Sequence, residues 1–264
     1  MNAIILAAGE GKRLRPLTES KPKCMIDLFG KTLLEKQISV LKKCGIHDIC
    51  VVTGYKSESI RYPNITYIKN LNFMNSNMVE SLFCAINHFS ESTIVAYGDI
   101  IYEPKVLKKL ISSTSDFSIV IDKNWEKYWR MRSDSPINDL ESLELDHEQN
   151  ITSIGQKVTD LTEIQGQYIG LMKFQNAAIP KIKSFYQKCK SIFETSNLNP
   201  LNSKTSFQNS YLTDFLQGLI NEEMNLKAIS IENGWLELDN INDYELYTNN
   251  KTQKQILELY DPYA

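Results

Sequence analysis

Leu6-Ala7-Ala8-Gly9-Glu10-Gly11-Lys12-Arg13-Leu14-Arg15-Pro16-Leu17-Thr18, followed by Lys21-Pro22-Lys23, is the stretch on which the reading of this chain turns. It comes straight after an apolar run, residues 3–7, that reads as a buried strand. Glycines at 9 and 11 allow backbone N–H groups to turn towards one concavity, a geometry that receives phosphate oxygens. Between positions 12 and 23, five basic residues (Lys12, Arg13, Arg15, Lys21, Lys23) face one acidic residue, Glu19. A polyphosphate needs both: amide donors for geometry and cations for charge. The spacing is not that of a Walker A loop. Nor is it a dinucleotide GxGxxG, because Leu14 stands where the third glycine would be. A bare Gly-x-Gly beside a charge run also serves as a solvated turn; the whole pattern is more specific.

Working outward, the first 120 residues alternate strand and helix. Strands are predicted at 3–7, 49–53, 65–68, 93–97 and 117–121, with helices at 33–43, 77–89 and 105–111. This order implies a parallel sheet with right-handed crossovers, with ligands at the carboxyl edge. From 123 to 174 no clear helix is predicted, only strands at 143–145, 151–154 and 168–174. Helices at 177–193 and 207–220, strands at 226–231 and 235–238 and a short helix at 252–259 complete the chain. The expectation is one α/β domain over 1–264, with a β-rich insertion at 123–174 forming the acceptor side of a cleft.

The 264 residues carry 29 Lys+Arg and 32 Asp+Glu, a net charge of −3, with 42% hydrophobic and 23% charged residues. That composition excludes disordered and fibrous classes and gives no overall basic footprint for nucleic acid. Small anions are left open, since they feel local charge. No apolar run approaches the length of a membrane span, and the apolar N-terminus reads as a strand and not a signal peptide. The five cysteines are scattered with no CxxC pair, which argues against disulfides or zinc and for a reducing cytoplasm.

Two carboxylates stand out. Asp99 ends the strand Ile94-Val95-Ala96-Tyr97-Gly98-Asp99, and Asp239 follows Trp235-Leu236-Glu237-Leu238. Both can reach the carboxyl edge, where hard Mg²⁺ suits carboxylates together with phosphate oxygens. Asp239-Asn240 serves equally as a helix N-cap. Residues 70–78 hold four asparagines between a strand and a helix; their amides can read a base edge, or form a polar loop with an Asn cap. In the 123–174 segment Trp125, Tyr128, Trp129, Arg130 and Arg132 place aromatics among cations, Asp139 and Glu141 add carboxylates, and Lys157, Gln167, Tyr168 and Lys173 follow. That set suits a zwitterionic acceptor, and amphipathic surface strands explain the same letters.

The N-terminal signature resembles that of the nucleotidyltransferases that activate sugar 1-phosphates and phosphocholine. The likeness extends through Leu33-Leu34-Glu35, Gly45-Ile46, Gly54-Tyr55, Gly98-Asp99 and Glu237-Leu238-Asp239. It implies a Rossmann-like, mostly parallel sheet flanked by helices, of the nucleotide-diphospho-sugar transferase type. It also implies attack by an acceptor phosphate on the α-phosphorus of a nucleoside triphosphate. On these terms Asp99 and Asp239 hold Mg²⁺. Lys23 and Arg13 are catalytic, and Leu6, Ala7, Ala8, Gly9, Gly11, Lys12, Arg13, Asn75, Asn77 and Gly98 bind the nucleotide. Arg130, Arg132, Glu141, Lys157, Tyr168 and Lys173 are the acceptor candidates. The Asn-rich loop is similar to that of phosphocholine and aminophosphonate cytidylyltransferases, which implies CTP. Trp125-x3-Trp129-Arg130-x-Arg132, residues 168–174 and Trp235-Leu236-Glu237-Leu238-Asp239 are similar to the capsular-phosphoramidate branch of bacterial cytidylyltransferases, whose acceptor is L-glutamine phosphate. A sugar-1-phosphate nucleotidyltransferase is the alternative enzyme, and a non-catalytic nucleotide-sensing subunit the alternative outside catalysis.

Overall fold

The computed structural model describes residues 1–133, 137 and 140–264. In chain order the strands are β1 (Asn2–Ala7), β2 (Asp27–Leu28), β3 (Lys31–Thr32), β4 (Ile49–Thr53), β5 (Thr66–Lys69), β6 (Ser92–Tyr97), β7 (Ile100–Tyr102), β8 (Phe117–Asp122), β9 (Glu141–Leu145), β10 (Asn150–Lys157), β11 (Gln167–Gln175), β12 (Leu226–Ile231) and β13 (Trp235–Glu237). The helices are α1 (Leu33–Lys43), α2 (Met78–Cys84), α3 (Pro104–Ser112), α4 (Trp125–Arg132), α5 (Ala178–Ser196), α6 (Leu212–Asn221), α7 (Ile241–Thr248) and α8 (Asn250–Leu259).

Nine strands form one sheet in the order β5-β4-β1-β6-β11-β8-β12-β10-β9. β5, β4, β1 and β6 are parallel, as the alternating pattern predicts, while β11 runs antiparallel to both its neighbours. Every residue of β1 is buried because both faces are covered, which is why the strand reads as an unbroken apolar run. Its alternation still sorts the core. Ala3, Ile5 and Ala7 join the layer under α1 and α3, whereas Ile4 and Leu6 join the layer containing α2, α5 and α6. On α1, Leu34, Ile38 and Leu41 share one buried face, each side chain contributing roughly 1.5–3 kcal/mol. The Thr32 hydroxyl caps this helix by accepting from Glu35 N–H at 3.0 Å, and Gly45 at φ +83° ends it.

The 123–174 segment differs from expectation in two ways. It contains a helix, α4, whose Trp125, Tyr128, Trp129 and Arg132 recur at helical spacing, with the three aromatics buried. Its last strand, β11, lies in the middle of the main sheet, between β6 and β8, while β9 and β10 form one edge. The segment is therefore continuous with the core. The short helix that a cap at Asp239-Asn240 implies is present as α7, which begins just after Asp239 with Asn240 as its cap.

A small antiparallel ribbon of β7 and β13 does the main work of assembling the site. It pairs Trp235 with Tyr102, Leu236 with Ile101 and Glu237 with Ile100. The ribbon continues one step further, where Leu238 N–H donates to Asp99 O at 2.9 Å. Two carboxylates far apart in sequence are thereby set side by side at the carboxyl edge of the sheet.

Candidate functional site

The turn after β1 is shaped by two close approaches. Gly11 sits at φ +68°, and a Cβ there would stand 2.9 Å from Lys23 Cβ. Thr18 Oγ1 donates to Gly11 O at 2.9 Å, tying the loop back on itself. Gly98 lies so near β1 that a Cβ would be 2.5 Å from Leu6 O. Between these turns opens a cavity of about 120 Å³, lined by Leu6, Ala7, Ala8, Gly9, Lys23, Cys24, Phe73, Ser76, Asn77, Met78, Ser81, Gly98 and Asp99. Its wall at β1 comes from Leu6, Ala7, Ala8 and Gly9, three of them with little or no side chain, which suits a loop that receives phosphates by N–H donation.

Asp99, on its wall, belongs to a cluster of three carboxylates. One oxygen from each of Asp99, Glu237 and Asp239 lies within 4.8 Å of the others. Lys23 Nζ spans two of them, donating to Asp99 Oδ2 at 2.9 Å and to Asp239 Oδ1 at 3.0 Å. Arg13 Nη2 reaches Asp239 Oδ1 at 2.6 Å, although its side chain is largely exposed. Burial alone would lower the Lys23 ammonium pKa, but Asp99, then Asp239 and Glu237, outweigh it and hold the pKa above its ordinary value. Burial would raise Asp239; Lys23 and Arg13 overcome it and keep that carboxylate low. Glu237 goes the other way: burial pushes it up to about 7 against the pull of Arg132.

This cluster fits a divalent cation. The donors are hard carboxylate oxygens, and Asp99 Oδ1 is buried without a hydrogen-bond partner, a lone pair directed at no described group. Asp99 and Asp239 would hold the ion, with Lys23 free to turn to a phosphate once a metal balances the carboxylates.

The asparagine loop divides unequally. Asn70 is buried and structural, donating to Ser76 Oγ and Ser81 Oγ at 2.9 and 3.0 Å. Asn77 lines the cavity while its Oδ1 accepts from Met78 N–H at 2.8 Å. Asn75 instead is exposed in a 3₁₀ turn, Phe73–Asn75, and does not line the cavity. Lys12 is also off the wall, 73% exposed and paired with Glu10 at 3.4 Å. Phe73, Ser76, Met78 and Ser81 line the cavity unforeseen. Ser81 and Met78 stand on the first turn of α2, a position that the cap at Asn77 could have signalled.

Beyond the carboxylates lies a second cavity of about 280 Å³, lined by Arg13, Met78, Tyr97, Trp129, Arg132, Glu141, Gln167, Tyr168, Tyr211, Thr213, Glu237 and Asp239. Of the six acceptor candidates, Arg132, Glu141 and Tyr168 are here. The other three are elsewhere. Lys173 is fully buried in the central strand β11, donating to Ile111 O and Ser113 O, because both faces of that strand are covered. Arg130 projects from the opposite side of α4 to Arg132 and pairs with Glu126 on the surface. Lys157 is exposed at the end of β10. Asp139 lies outside the described residues. Trp125 and Tyr128 belong to the core, with Tyr128 edge-on to Trp235 at 5.4 Å. Tyr97, Tyr211 and Thr213 complete the wall unforeseen. Tyr97 could have been found from the strand register, one residue before Gly98.

Glu141 is distinctive. Its side chain is open to the cavity mouth yet walled in, so burial, with Asp214 adding to it, raises its pKa, while a hydrogen bond from Thr213 opposes. Among the described residues no cation pairs with it.

A profile of the MobA-like NTP transferase domain matches residues 3–184. The chain is 36% identical over 257 residues to the CTP:phosphoglutamine cytidylyltransferase of Campylobacter jejuni, an alignment covering 93% of this chain and 98% of that protein. Among solved structures, the Streptococcus pneumoniae CTP:phosphocholine cytidylyltransferase LicC superposes with a TM-score of 0.71 at 23% identity, over 97% of this chain and 98% of that one. The inositol-1-phosphate CTP transferase of T. maritima superposes with a TM-score of 0.69 at 22% identity, over 98% and 97% of the two chains. These structural likenesses establish the shared fold.

Proposed function

The chain belongs to the MobA-like NTP transferase family, and from that membership we propose that it transfers CMP from CTP to L-glutamine phosphate, giving CDP-L-glutamine and pyrophosphate. The observation that carries the acceptor assignment is the 36% identity, over 93% of this chain, to a phosphoglutamine cytidylyltransferase. The cavities support it. CTP enters over the wall of Leu6, Ala7, Ala8, Gly9 and Gly98, with Phe73 and Asn77 beside it. The acceptor occupies the larger cavity, to which the 123–174 segment contributes Trp129, Arg132, Glu141, Gln167 and Tyr168.

An acceptor phosphate oxygen attacks the α-phosphorus while the bond to the bridging oxygen of pyrophosphate breaks. Bound Mg²⁺, held by Asp99 and Asp239, would supply charge neutralisation at the phosphates. Arg13 and Lys23 orient the triphosphate and stabilise charge developing on its oxygens, a role for cations fixed in advance. Glu141 accepts the ammonium of the acceptor's amino group, while aromatic faces of Tyr97, Tyr168 and Trp129 exclude water around its stem. This polarity, cations at one end and an unpaired carboxylate at the other, suits a phosphorylated zwitterion better than a hexose 1-phosphate, whose sugar carries no cation. The CDP-linked product would serve decoration of a capsular polysaccharide, with synthesis in the cytoplasm. Among the described residues no helix is long and apolar enough to cross a membrane.

Product mass after incubation with each of four nucleoside triphosphates and a panel of acceptors is the test. The panel includes L-glutamine phosphate, phosphocholine, 2-aminoethylphosphonate and glucose 1-phosphate. CDP-L-glutamine is expected to dominate. UTP with glucose 1-phosphate giving the fastest turnover would overturn the cytidylyl reading. Nucleotide binding with no turnover on any pair would favour a sensing subunit.

A further inference from the structure

Arg132 lines the acceptor cavity, yet most of its hydrogen bonding is directed inward. Its Nε donates to Asp243 Oδ1 and its Nη2 to Asp243 Oδ2, both at 2.9 Å, while Nη1 donates to Glu237 Oε2 at 2.9 Å. Three of the five guanidinium N–H groups are thus committed to two carboxylates. The guanidinium also lies against the rings of Tyr128 and Trp129, 5.3 and 5.2 Å from their centroids. Asp243 is 1% exposed, and this ion pair offsets the cost of burying its carboxylate.

Asp243 in turn holds the backbone on which Asp239 is mounted. Its Oδ2 accepts from Asp239 N–H at 2.8 Å and Asn240 N–H at 3.1 Å, and its own N–H donates to Asn240 Oδ1 at 3.1 Å. The strand just before is fixed from the other side, where Glu237 N–H donates to Tyr128 OH at 2.9 Å and Tyr247 OH donates to Glu237 O at 2.6 Å. Asp239 is therefore carried on a short segment whose backbone is held at both ends, against the repulsion of Asp99 and Glu237 within 4.8 Å.

We propose that Arg132 and Asp243 are positioning residues: their buried bidentate pair fixes the backbone at Asp239 and so sets its carboxylate for the divalent ion. Arg132 acts through Asp243 and not by contact with the acceptor. The proposal rests on the reading that Asp239 is a metal ligand.

The test is a Mn²⁺ titration of the full chain with CTP present and acceptor absent, read by electron paramagnetic resonance, beside steady-state kinetics. Each variant is assayed below its own unfolding midpoint. Arg132→Lys keeps the charge but loses the fork, and Asp243→Asn keeps the size but loses one acceptor. Each is expected to raise the Mn²⁺ dissociation constant by about 10- to 100-fold, the range for groups that orient metal ligands. The acceptor KM should stay unchanged and kcat should recover at saturating Mn²⁺. The two substitutions combined should cost no more than the worse one alone, as expected of groups acting as a unit. Unchanged Mn²⁺ affinity with a raised acceptor KM in Arg132→Lys would overturn the proposal and make Arg132 an acceptor contact. Asp239→Asn in the same titration separates the two readings. If it leaves Mn²⁺ binding intact, the metal assignment fails. If it weakens binding and neither positioning variant does, only the positioning proposal fails.

Discussion

The two cavities are built from different materials. The nucleotide side joins small residues of the turns after β1 and β6, with a close backbone approach at Gly98, to Lys23, Cys24 and side chains of the 73–81 segment. The acceptor side is mostly side chains, gathered from β6, α4, β9, β11, α6 and the end of β13. A wall of small residues and close backbone recognises the phosphates shared by every nucleotide and tolerates little change. A side-chain wall can be altered one residue at a time, so specificity evolves there. The contrast predicts where substitutions destroy turnover and where they only redirect it.

The largest loss should come where the two sides meet. Lys23→Ala is expected to lower kcat by about 100- to 1000-fold, the range for removing one preorganised group facing developing charge. Stopped assays beside a melting curve would check it, and a kcat near wild type with the fold intact would remove Lys23 from the chemistry. On the nucleotide wall, Gly98→Ala places a methyl 2.5 Å from Leu6 O and 3.0 Å from Ala7 Cα, both backbone atoms. Overpacking of this kind costs roughly 1–3 kcal/mol, so thermal unfolding should shift down and CTP binding weaken together. A stable variant with normal CTP affinity would show that the wall has slack.

On the acceptor side, Glu141→Gln should raise the KM for L-glutamine phosphate by about tenfold, equivalent to ~1.4 kcal/mol, while leaving that for CTP unchanged. Equal effects on both substrates would erase the division between the cavities. The smallest effect belongs to Arg130→Ala. Its ion pair with Glu126 is exposed, so stability should change by less than ~0.5 kcal/mol and acceptor KM not at all. A raised acceptor KM in this variant would return Arg130 to the site.

The same division explains what could be read in advance. Gly9, Gly11, Arg13 and Lys23 fall within one short stretch, so their convergence needs no knowledge of the fold. Asp99 and Asp239 were legible as strand-end carboxylates, but their adjacency depends on the β7–β13 ribbon, a pairing that periodicity does not reveal. Lys173 misled because alternation along a strand indicates a polar face only when one side of the sheet meets water. β11 meets none, and its lysine is satisfied by carbonyls instead. Arg130 and Arg132 were read together as cations among aromatics. On a helix, residues two apart point to nearly opposite sides, so only Arg132 could turn inward. The spacing of Trp125, Tyr128, Trp129 and Arg132 held that information.

The ribbon also has a consequence in time. Leu238 N–H closes onto Asp99 O across a sequence separation of 139, and synthesis on a ribosome delivers the first partner long before the second. A growing chain can shape its glycine turn early, and domains fold as their segments emerge. The second carboxylate arrives only when the ribbon zips near the end. On the proposed function, an unfinished chain thus has the glycine turn for a triphosphate but not yet the pair of acids that would hold the ion. Competence is conferred late, by the strand that brings Asp239 beside Asp99.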